Sequence, residues 1–244
     1  MLKITNLKKH FGGIKAVDKT SFDIKKNKIT ALIGPNGSGK TTIFNLISGI
    51  LKADSGKIVF NKTNITNKQV NQISNLGISR LFQQSRLFDN LTVKENLLLA
   101  ISNKDTKFWK NLIGYNFDKE DYKQVDNIAK LVGIEKFMEK QAGDLSFGQK
   151  RLVEIARAIL KSHELLMLDE PVAGVNPRLR KDIMNLLKEL KKQGETILLI
   201  EHDMNFTLGI ADHVIVMDEG KVIAQGTPKQ IKNNKQVLEA YLGE

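Results

Sequence analysis

The stretch KITALIGPNGSGKTTIFNLI, residues 28–47, decides the fold of this 244-residue chain. It begins with an apolar run, continues through a glycine-rich turn at GPNGSGKT, Gly34 to Thr41, and ends in a helical pattern. Glycines at positions 34, 37 and 39 let the backbone turn its N–H groups inward, and the start of a helix adds positive potential at the same point. The stretch therefore predicts a strand, a phosphate-binding loop and a helix in succession.

The loop residues are candidate ligands for ATP and Mg²⁺. Lys40 is placed to reach the β- and γ-phosphates, the Thr41 hydroxyl is suited to Mg²⁺, and Thr42 can hold another phosphate oxygen. The alternative is a glycine-rich turn that holds Lys-Thr by coincidence, and the flanking strand and helix patterns argue against it. The other loop positions expected to bind the nucleotide are Gly34, Asn36, Gly37, Ser38 and Gly39.

A second motif, LLMLDE from Leu165 to Glu170, consists of four apolar residues followed by two carboxylates. This pattern predicts a buried strand that delivers its acids at the carboxyl end, where α/β sheets bind ligands. Asp169 is suited to hold Mg²⁺ through water, and Glu170 lies one residue further out, where it can polarise an attacking water. Acids at a strand end are also common helix caps, but a phosphate loop upstream favours the catalytic interpretation.

The rest of the chain alternates strand and helix patterns, which predicts an α/β fold with parallel strands. Short strand patterns occur at LKITNL, TSFDI, KIVF and GISRLF, and HVIVMDEGKVIAQG reads as two strands joined at Asp218-Glu219-Gly220, a hairpin signal. Residues 92–162 have helical periodicity without a convincing strand, so we expect an inserted helical subdomain there. No linker separates independent domains, and residues 1–244 are expected to form a single ATP-binding domain.

A third motif, DLSFGQKRLVEIARAIL from Asp144, begins an amphipathic helix and by itself predicts a capped helix and nothing more. Its LSFGQ segment resembles the LSGGQ signature of the ATP-binding subunits of ABC transporters, and the phosphate loop, LLMLDE and EHD occur in the order typical of that family. The resemblance covers essentially the whole chain. It implies a P-loop NTPase (RecA-like) core with an N-terminal antiparallel β part and an inserted helical subdomain.

The resemblance assigns roles to three residues that mean little without it. It implies that Phe11 stacks on adenine, that Gln83 touches Mg²⁺ beside the surface for the membrane subunit, and that His202 contacts the γ-phosphate. As bare sequence features, such residues are more often packing or capping groups. With these additions, the expected catalytic residues are Glu170 and His202, and the expected Mg²⁺ ligands are Thr41, Gln83 and Asp169.

The same resemblance implies a site shared between two subunits. Ser146, Gly148 and Gln149 are expected to face the ATP held by the other subunit of a dimer. Two positions depart from the general family pattern, because Phe147 replaces a glycine in the signature and Asn176 takes the place of an aspartate in VAGVNP. Asn176 carries no charge but can still hydrogen-bond across an interface, so we expect hydrolysis to survive.

Several stretches resemble one branch of the family, the ATP-binding subunits of branched-chain amino acid importers. They are LSFGQKRLVEIARA, EPVAGVNP, FQQSRLFDNLTVKEN, IEHDM and the ending GTPKQIKNNKQVLEAYLGE, and SNKDTKFWKNLIGYNFDKEDY lies where that branch carries an extra segment. This resemblance implies membrane permease subunits, a second ATP-binding subunit in a homo- or heterodimer, an external solute-binding protein, and a peripheral location on the cytoplasmic face of the cell membrane. Related ATPases for amide or urea uptake or for lipopolysaccharide export are the alternative.

Composition limits the other function classes. The chain has 38 basic and 27 acidic residues, a net charge of +11, and its lysines are spread along the sequence as on a solvated surface. Attraction to anionic lipid or to an acidic partner is the alternative. The absence of cysteine excludes thiolate metal sites and thiol chemistry. No stretch approaches the ~20 apolar residues of a membrane span. The N-terminal MLKITNLKKH lacks the apolar run of a signal peptide, so we expect the chain to stay in the compartment where it is made.

DNA-repair ATPases and ribosome-associated ABC proteins share parts of this motif set. DNA-repair ATPases carry long heptad arms between their two ATP motifs, and the roughly 100 residues between Thr42 and Asp144 are too few and lack sustained heptads. Ribosome-associated ABC proteins carry two ATP units in tandem, whereas this sequence has a single set of motifs. No nucleic-acid partner is therefore expected.

Overall fold

The strands and helices of the chain follow in an α/β order, in a computed structural model that describes residues 1–81, 87–101 and 117–242. Within these ranges the strands are β1 (Leu2–Phe11), β2 (Ile14–Ile24), β3 (Ile29–Ile33), β4 (Ser55–Phe60), β5 (Thr63–Asn64), β6 (Ile78–Leu81), β7 (Leu165–Asp169), β8 (Ile197–Ile200), β9 (His213–Asp218) and β10 (Lys221–Gly226). The helices there are α1 (Lys40–Ile47), α2 (Val70–Asn75), α3 (Val93–Ile101), α4 (Lys119–Val132), α5 (Phe147–Leu160), α6 (Pro177–Lys192), α7 (Met204–Ile210), α8 (Pro228–Lys232) and α9 (Lys235–Leu242), with 3₁₀ turns at Glu135–Phe137 and Ala142–Asp144.

The chain divides into two units. The first comprises Met1–Arg80, Glu164–Glu170 and Leu187–Glu244, and the second comprises Leu81–His163 and Pro171–Leu186. The second unit includes the region 92–162 that the sequence predicts as an inserted helical subdomain, but it also takes in Pro171–Leu186. The boundaries of that subdomain stay a prediction.

The first unit contains an antiparallel sheet near the N-terminus and a second, mostly parallel sheet. In the described residues, the first sheet has the order β2-β1-β4-β5 and the second has the order β10-β9-β3-β8-β7-β6. β1 pairs antiparallel with both β2 and β4, which confirms the predicted antiparallel part. β3 pairs parallel with β8 and β9, and β8 pairs parallel with β7, which confirms the predicted parallel strands.

The central strands of the parallel sheet are buried along their whole length. Every residue of ITALI in β3, LLMLD in β7 and ILLI in β8 is buried, which is why these segments read as continuous apolar runs. Because the three strands run parallel, their carboxyl ends lie at one edge of the sheet. The sheet thereby brings the loop that begins at Gly34, the acids at Asp169 and Glu170, and His202 to that edge.

The hairpin between β9 and β10 turns at the residues that the sequence indicated. Asp218 pairs with Lys221, and the two residues between them have positive φ, 42° at Glu219 and 77° at Gly220. Two left-handed residues in succession are the mark of a type I′ turn, whose twist matches that of the strands. The predicted hairpin is therefore confirmed.

The hydrophobic core of the first unit lies against α1. Phe44 and Ile47 of this helix are fully buried in a cluster that also contains Leu7 of β1, Phe60 of β4 and Leu198 of β8. Burial of large apolar side chains is the main stabilising contribution to such a unit. The packing holds α1, and with it the loop that precedes α1, on the parallel sheet.

In the second unit, α3, α4 and α5 pack on one another. α4 begins at Asp118, whose carboxylate accepts a hydrogen bond from the Asp121 N–H, and ends at Gly133 in a left-handed conformation. Val125 and Ala129 form part of its buried face. No helix in the described ranges is both long and apolar enough to cross a membrane.

Candidate functional site

The loop between β3 and α1 is built so that only glycine fits at two of its positions. Gly34 and Gly39 have φ values of 152° and 100°. A β-carbon at Gly34 would lie 2.0 Å from the Met217 carbonyl oxygen, and a β-carbon at Gly39 would lie 2.2 Å from the Ala16 carbonyl oxygen. The loop is therefore pressed against two neighbouring backbone segments, which fixes its path.

The ammonium group of Lys40 lies inside the curve of this loop. Its Nζ donates hydrogen bonds to the carbonyl oxygens of Gly34 at 2.7 Å and Pro35 at 2.8 Å, and the residue is only 7% exposed. A cation held by carbonyl dipoles at the start of a helix creates a site of positive potential for phosphate. The strand, the loop and the helix thus follow one another as the sequence predicts, and phosphate binding by the loop stays a prediction.

A cleft of about 610 Å³ opens beside the loop within the first unit. Its lining brings together Thr41, Thr42 and Glu170, which were candidates from the sequence, with residues that sequence reasoning missed. The full lining is Gly13, Ile14, Lys15, Ala16, Asp18, Asn36, Gly37, Gly39, Lys40, Thr41, Thr42, Glu170, Glu219 and Lys221. The additional residues come from the β1–β2 turn and the first part of β2, and from the β9–β10 turn and the first residue of β10. The hairpin signal at Glu219 indicated a turn but gave no sign that it lines a cleft.

Phe11 is not among the residues of the described chain that line this cleft. It ends β1, is 45% exposed, and has the Lys9 Nζ 5.3 Å from the centroid of its ring. Its side chain is accessible to a ligand from solvent. The prediction that Phe11 stacks on adenine stays a prediction.

The two acids at the carboxyl end of β7 differ in their surroundings. Asp169 is 2% exposed, and its Oδ2 accepts a hydrogen bond from Nη2 of Arg80 at 2.8 Å. Glu170 has a left-handed φ of 49°, and its N–H donates to the carbonyl oxygen of Ile200 at 3.0 Å. A left-handed conformation is uncommon for a residue with a side chain and is concentrated at functional sites. Sequence reasoning missed Arg80, although a charge within the strand pattern GISRLF was a usable signal.

His202 follows β8, the strand that neighbours β7. Its Nδ1 lies 3.9 Å from Oε1 of Glu170 and 3.9 Å from Oε2 of Glu201. The imidazole is 60% exposed, whereas the Glu170 side chain is 24% exposed. The sheet thus brings together the two residues that the sequence predicts to be catalytic.

The donor groups at this edge fit Mg²⁺ held jointly with a nucleotide. Among the residues that the structure describes, no group of three or more His, Asp or Glu side chains could hold a metal unaided. Mg²⁺ commonly binds one or two protein oxygens together with waters and substrate phosphates. The Thr41 hydroxyl lines the cleft and supplies such an oxygen. The Asp169 carboxylate, at the end of the neighbouring strand, is not among the lining residues and is hydrogen-bonded to Arg80. Gln83, the third predicted ligand, lies outside the described residues.

The LSFGQ segment forms the start of α5 in the second unit. Ser146 is the N-cap residue: its hydroxyl accepts a hydrogen bond from the Gln149 N–H at 3.4 Å, and the Gln149 side-chain oxygen accepts one from the Ser146 N–H at 2.9 Å. This reciprocal pair is a capping box. The N-terminus of α5 therefore presents N–H groups and the Ser146 hydroxyl at a position where Ser146 and Phe147 are exposed.

A second cleft, of about 680 Å³, lies beside this segment. Phe147 is 63% exposed, and its Cε1 would lie 3.1 Å from a β-carbon built on Gly174. The Asn176 Oδ1 accepts a hydrogen bond from the Leu179 N–H at 2.9 Å and so caps α6. The cleft is lined by Phe137, Ser146, Phe147, Gly148, Gln149, Leu152, Gly174, Val175, Asn176, Arg178, Leu179 and Asp182.

Two family profiles match the sequence. The profile described as ABC transporter matches residues 17–173, and the profile described as branched-chain amino acid ATP-binding cassette transporter matches residues 221–244. The chain is 40% identical over 245 residues to the probable branched-chain amino acid transport ATP-binding protein LivG of Archaeoglobus fulgidus, with coverage of 100% of this chain and 95% of that protein. It is 39% identical over 250 residues to the high-affinity branched-chain amino acid transport ATP-binding protein LivG of Escherichia coli, with coverage of 100% and 98%.

Solved structures of ATP-binding cassettes are similar to this chain. A nucleotide-free cassette from an ABC transporter has a TM-score of 0.88 at 39% identity, and a cassette in its ADP conformation has a TM-score of 0.88 at 37% identity. Both comparisons cover 100% of this chain and 99% of the other. A dimeric cassette in a post-hydrolysis state with ADP and Pi has a TM-score of 0.80 at 27% identity and covers 93% and 99%. These similarities confirm the predicted fold class.

Proposed function

Because the chain belongs to the family of ABC transporter ATP-binding subunits, we propose that it drives the uptake of branched-chain amino acids. As a member of this family it binds ATP and is an ATPase whose hydrolysis is coupled to transport. The observation that carries the choice of cargo is the match of residues 221–244 to a profile of branched-chain amino acid transporters. The similarity to LivG proteins over the full length supports the same choice.

In the proposed reaction the phosphate-binding loop and Lys40 hold the triphosphate of ATP. The inward N–H groups and the start of α1 attract the phosphate oxygens, and the buried ammonium exchanges carbonyl partners for the β- and γ-phosphates. Thr42 offers another hydroxyl at the same end of the helix. In this proposal the γ-phosphate lies beside Glu170, and the presence of Glu170 in the lining of the same cleft supports it.

Thr41 and Asp169 are proposed to hold Mg²⁺, which neutralises charge on the β- and γ-phosphates when it is bound. Glu170 accepts a proton from a water molecule as the water oxygen bonds to the γ-phosphorus. The bond from this phosphorus to the β,γ-bridging oxygen breaks, which leaves ADP and phosphate. His202, 3.9 Å from Glu170, is placed to donate a hydrogen bond to the γ-phosphate oxygens.

The active assembly is proposed to be a dimer in which two ATP-binding subunits share each site. The N-terminus of α5, with Ser146, Gly148 and Gln149, supplies N–H groups and the Ser146 hydroxyl, which are suited to the phosphates of ATP held by the partner. A dimeric relative with ADP and Pi supports this arrangement. The partner is either a second copy of this chain or a related chain.

The remaining components follow from the proposed transport role. An ATPase that drives uptake has to couple to permease subunits in the membrane, so we propose a peripheral location on the cytoplasmic face of the membrane. Gln83, which lies outside the described residues, is proposed to join the ATP site to the permease surface. An external solute-binding protein completes the proposed importer.

Reconstitution tests the proposed function. The chain is incorporated into vesicles with its permease subunits, a partner ATPase where one is needed, and the solute-binding protein, and the uptake of labelled leucine, isoleucine and valine is measured. We expect uptake that requires ATP and stops when Glu170→Gln replaces the wild-type chain. Uptake of urea or an amide without these three amino acids, or export of lipopolysaccharide, would overturn the cargo and leave the ATPase assignment intact.

A further inference from the structure

Arg80 forms a bridge between the acidic edge of the parallel sheet and α1. Its guanidinium is 6% exposed, and its Nη2 donates to Oδ2 of Asp169 at 2.8 Å. Its Nη1 donates to Oδ1 of Asn45 and to Oγ of Ser48, both at 2.8 Å. Asn45 lies in α1 and Ser48 is its C-cap residue, so one side chain is attached to the strand that ends in Asp169 and to the helix that begins at Lys40.

The packing around the guanidinium restricts its movement. Its Cζ lies 5.4 Å from the centroid of the Phe44 ring, and Ser48, which accepts one of its hydrogen bonds, donates its own hydroxyl to the carbonyl oxygen of Phe44 at 2.7 Å. Phe44 is itself fully buried. A planar group with donors in a fixed fork, held by partners that are themselves fixed, orients the carboxylate to which it binds.

The carboxylate of Asp169 can accept the hydrogen bond from Arg80 and still have acceptor positions for a metal. A carboxylate offers about four acceptor positions on two oxygens, so the hydrogen bond from Arg80 leaves the group able to accept others. A charge that is 2% exposed also needs a nearby opposite charge when no cation is bound. Loss of a group that holds a metal ligand in place from behind typically lowers metal affinity or activity by about 10- to 100-fold.

We propose that Arg80 is a positioning residue, which holds the Asp169 carboxylate ready for Mg²⁺ and ties it to the helix that carries Lys40. This inference rests on the proposed function of Asp169 as a metal-binding group. The competing explanation is that Arg80 only joins β6 to α1. The two explanations differ in one measurable quantity, the concentration of Mg²⁺ that nucleotide binding requires.

The experiment measures binding of a fluorescent ATP analogue to wild type, Arg80→Gln and Arg80→Lys over a series of Mg²⁺ concentrations and in EDTA. We expect Arg80→Gln to need about tenfold more Mg²⁺ for half-maximal Mg²⁺-dependent binding, with affinity in EDTA unchanged. Arg80→Lys keeps the charge but replaces the planar fork by a single nitrogen, which cannot hold Asp169 and α1 in the same fixed geometry, so its requirement should be intermediate. Lys191→Gln, which removes a partly buried ion pair with Asp212 in the same unit, is the control that loses stability without a change in Mg²⁺ requirement.

An Arg80→Gln protein that is folded by circular dichroism and has the wild-type Mg²⁺ requirement would overturn the inference. If Arg80→Gln does not fold, Ser48→Ala decides, because it removes one anchor of the guanidinium and leaves the bond to Asp169. A raised requirement in Ser48→Ala supports the bridge, and a wild-type requirement contradicts it. If the wild-type chain binds the nucleotide equally well in Mg²⁺ and in EDTA, the proposed metal site is wrong. The inference about Arg80 is then wrong as well, because it rests on that site.

Discussion

Nδ1 of His202 lies 3.9 Å from Oε1 of Glu170, although 32 positions separate the two residues in the sequence. The proximity arises because β7 and β8 are neighbouring parallel strands and each residue follows the carboxyl end of its strand. Glu170 has a left-handed φ of 49°, which departs from the extended backbone of the strand that it follows. A carboxylate and an imidazole thus meet at the edge where the phosphate-binding loop also lies.

Glu170→Gln keeps the size of the side chain and removes the proton acceptor. We expect turnover to fall by at least about 10²-fold, the lower end for loss of a general base, whereas ATP remains bound and traps the dimer. Steady-state phosphate release and size exclusion with ATP measure the two effects. Glu164→Gln is a matched control, because Glu164 precedes the same strand at its opposite end and contacts Asn61. Normal turnover in Glu170→Gln would mean that another group is the general base for ATP hydrolysis.

Lys40→Ala removes the ammonium from the phosphate-binding loop. The carbonyl oxygens of Gly34 and Pro35 then lose their donor, and no cation within the loop remains to meet the phosphates. We expect MgATP binding by isothermal titration calorimetry and ATP hydrolysis to be lost. The exposed Lys52 offers a control, Lys52→Ala, in which both should be retained. Hydrolysis at the wild-type rate in Lys40→Ala would show that the loop is not the ATP site.

Acidification is expected to destabilise the first unit through His213. Burial lowers the pKa of His213 below 6.5, and the charge of Lys25 acts in the same direction, although a hydrogen bond with Gln225 opposes them. The unfolded chain therefore binds this proton more tightly than the folded chain, so the stabilising contribution is complete above pH 6.5 and is lost as the pH falls through the folded pKa. Urea unfolding at about pH 7.5 and about pH 5.5 should show a smaller loss of stability in His213→Gln than in wild type. An equal loss in both proteins would place the pH sensitivity elsewhere.

Local patterns were sufficient to predict the parts of the fold in which neighbouring residues determine the structure. The strand, loop and helix around Lys40, the buried strand that ends in Asp169 and the turn at Glu219 and Gly220 all have periodicity or turn chemistry in a short window. β5 has two residues and α2 has six, which is too short for a periodic signal. These two elements were not predicted.

Contacts between residues that are far apart in the sequence could not be predicted from it. Arg80 and Asp169 are separated by 89 positions, and a lone arginine in a strand pattern does not indicate its partner. Glu170 combines a left-handed conformation with a hydrogen bond to the Ile200 carbonyl, a contact that exists only after β7 and β8 have paired. The sequence departure at Phe147 was visible, but its contact with Gly174 was not, because that contact requires the folded second unit.

The contact between Phe147 and Gly174 provides a prediction with an internal control. Gly174 has a φ of 70° and Gly133 a φ of 75°, but a β-carbon at Gly133 would meet no atom within 4 Å, whereas one at Gly174 would press on the Phe147 ring. Gly133→Ala should therefore cost only the left-handed strain of about 1 kcal/mol. Gly174→Ala should cost about 0.5 to 1 kcal/mol more, as expected for two coupled neighbours.

The Phe147→Ala background separates the two contributions. Because the ring is absent there, Gly174→Ala should cost the same free energy of unfolding as Gly133→Ala, measured by urea denaturation. An excess cost of Gly174→Ala that persists without the ring would mean that Phe147 does not constrain the loop after Glu170. If the excess disappears, the aromatic ring holds together the LSFGQ segment and the loop that contains Asn176, the two segments expected to meet the partner subunit. Since Ser146 and Gly148 are unchanged in Phe147→Ala, this variant should still hydrolyse ATP. Its hydrolysis should also persist when Gly174→Ala is added, because the added methyl group no longer meets the ring.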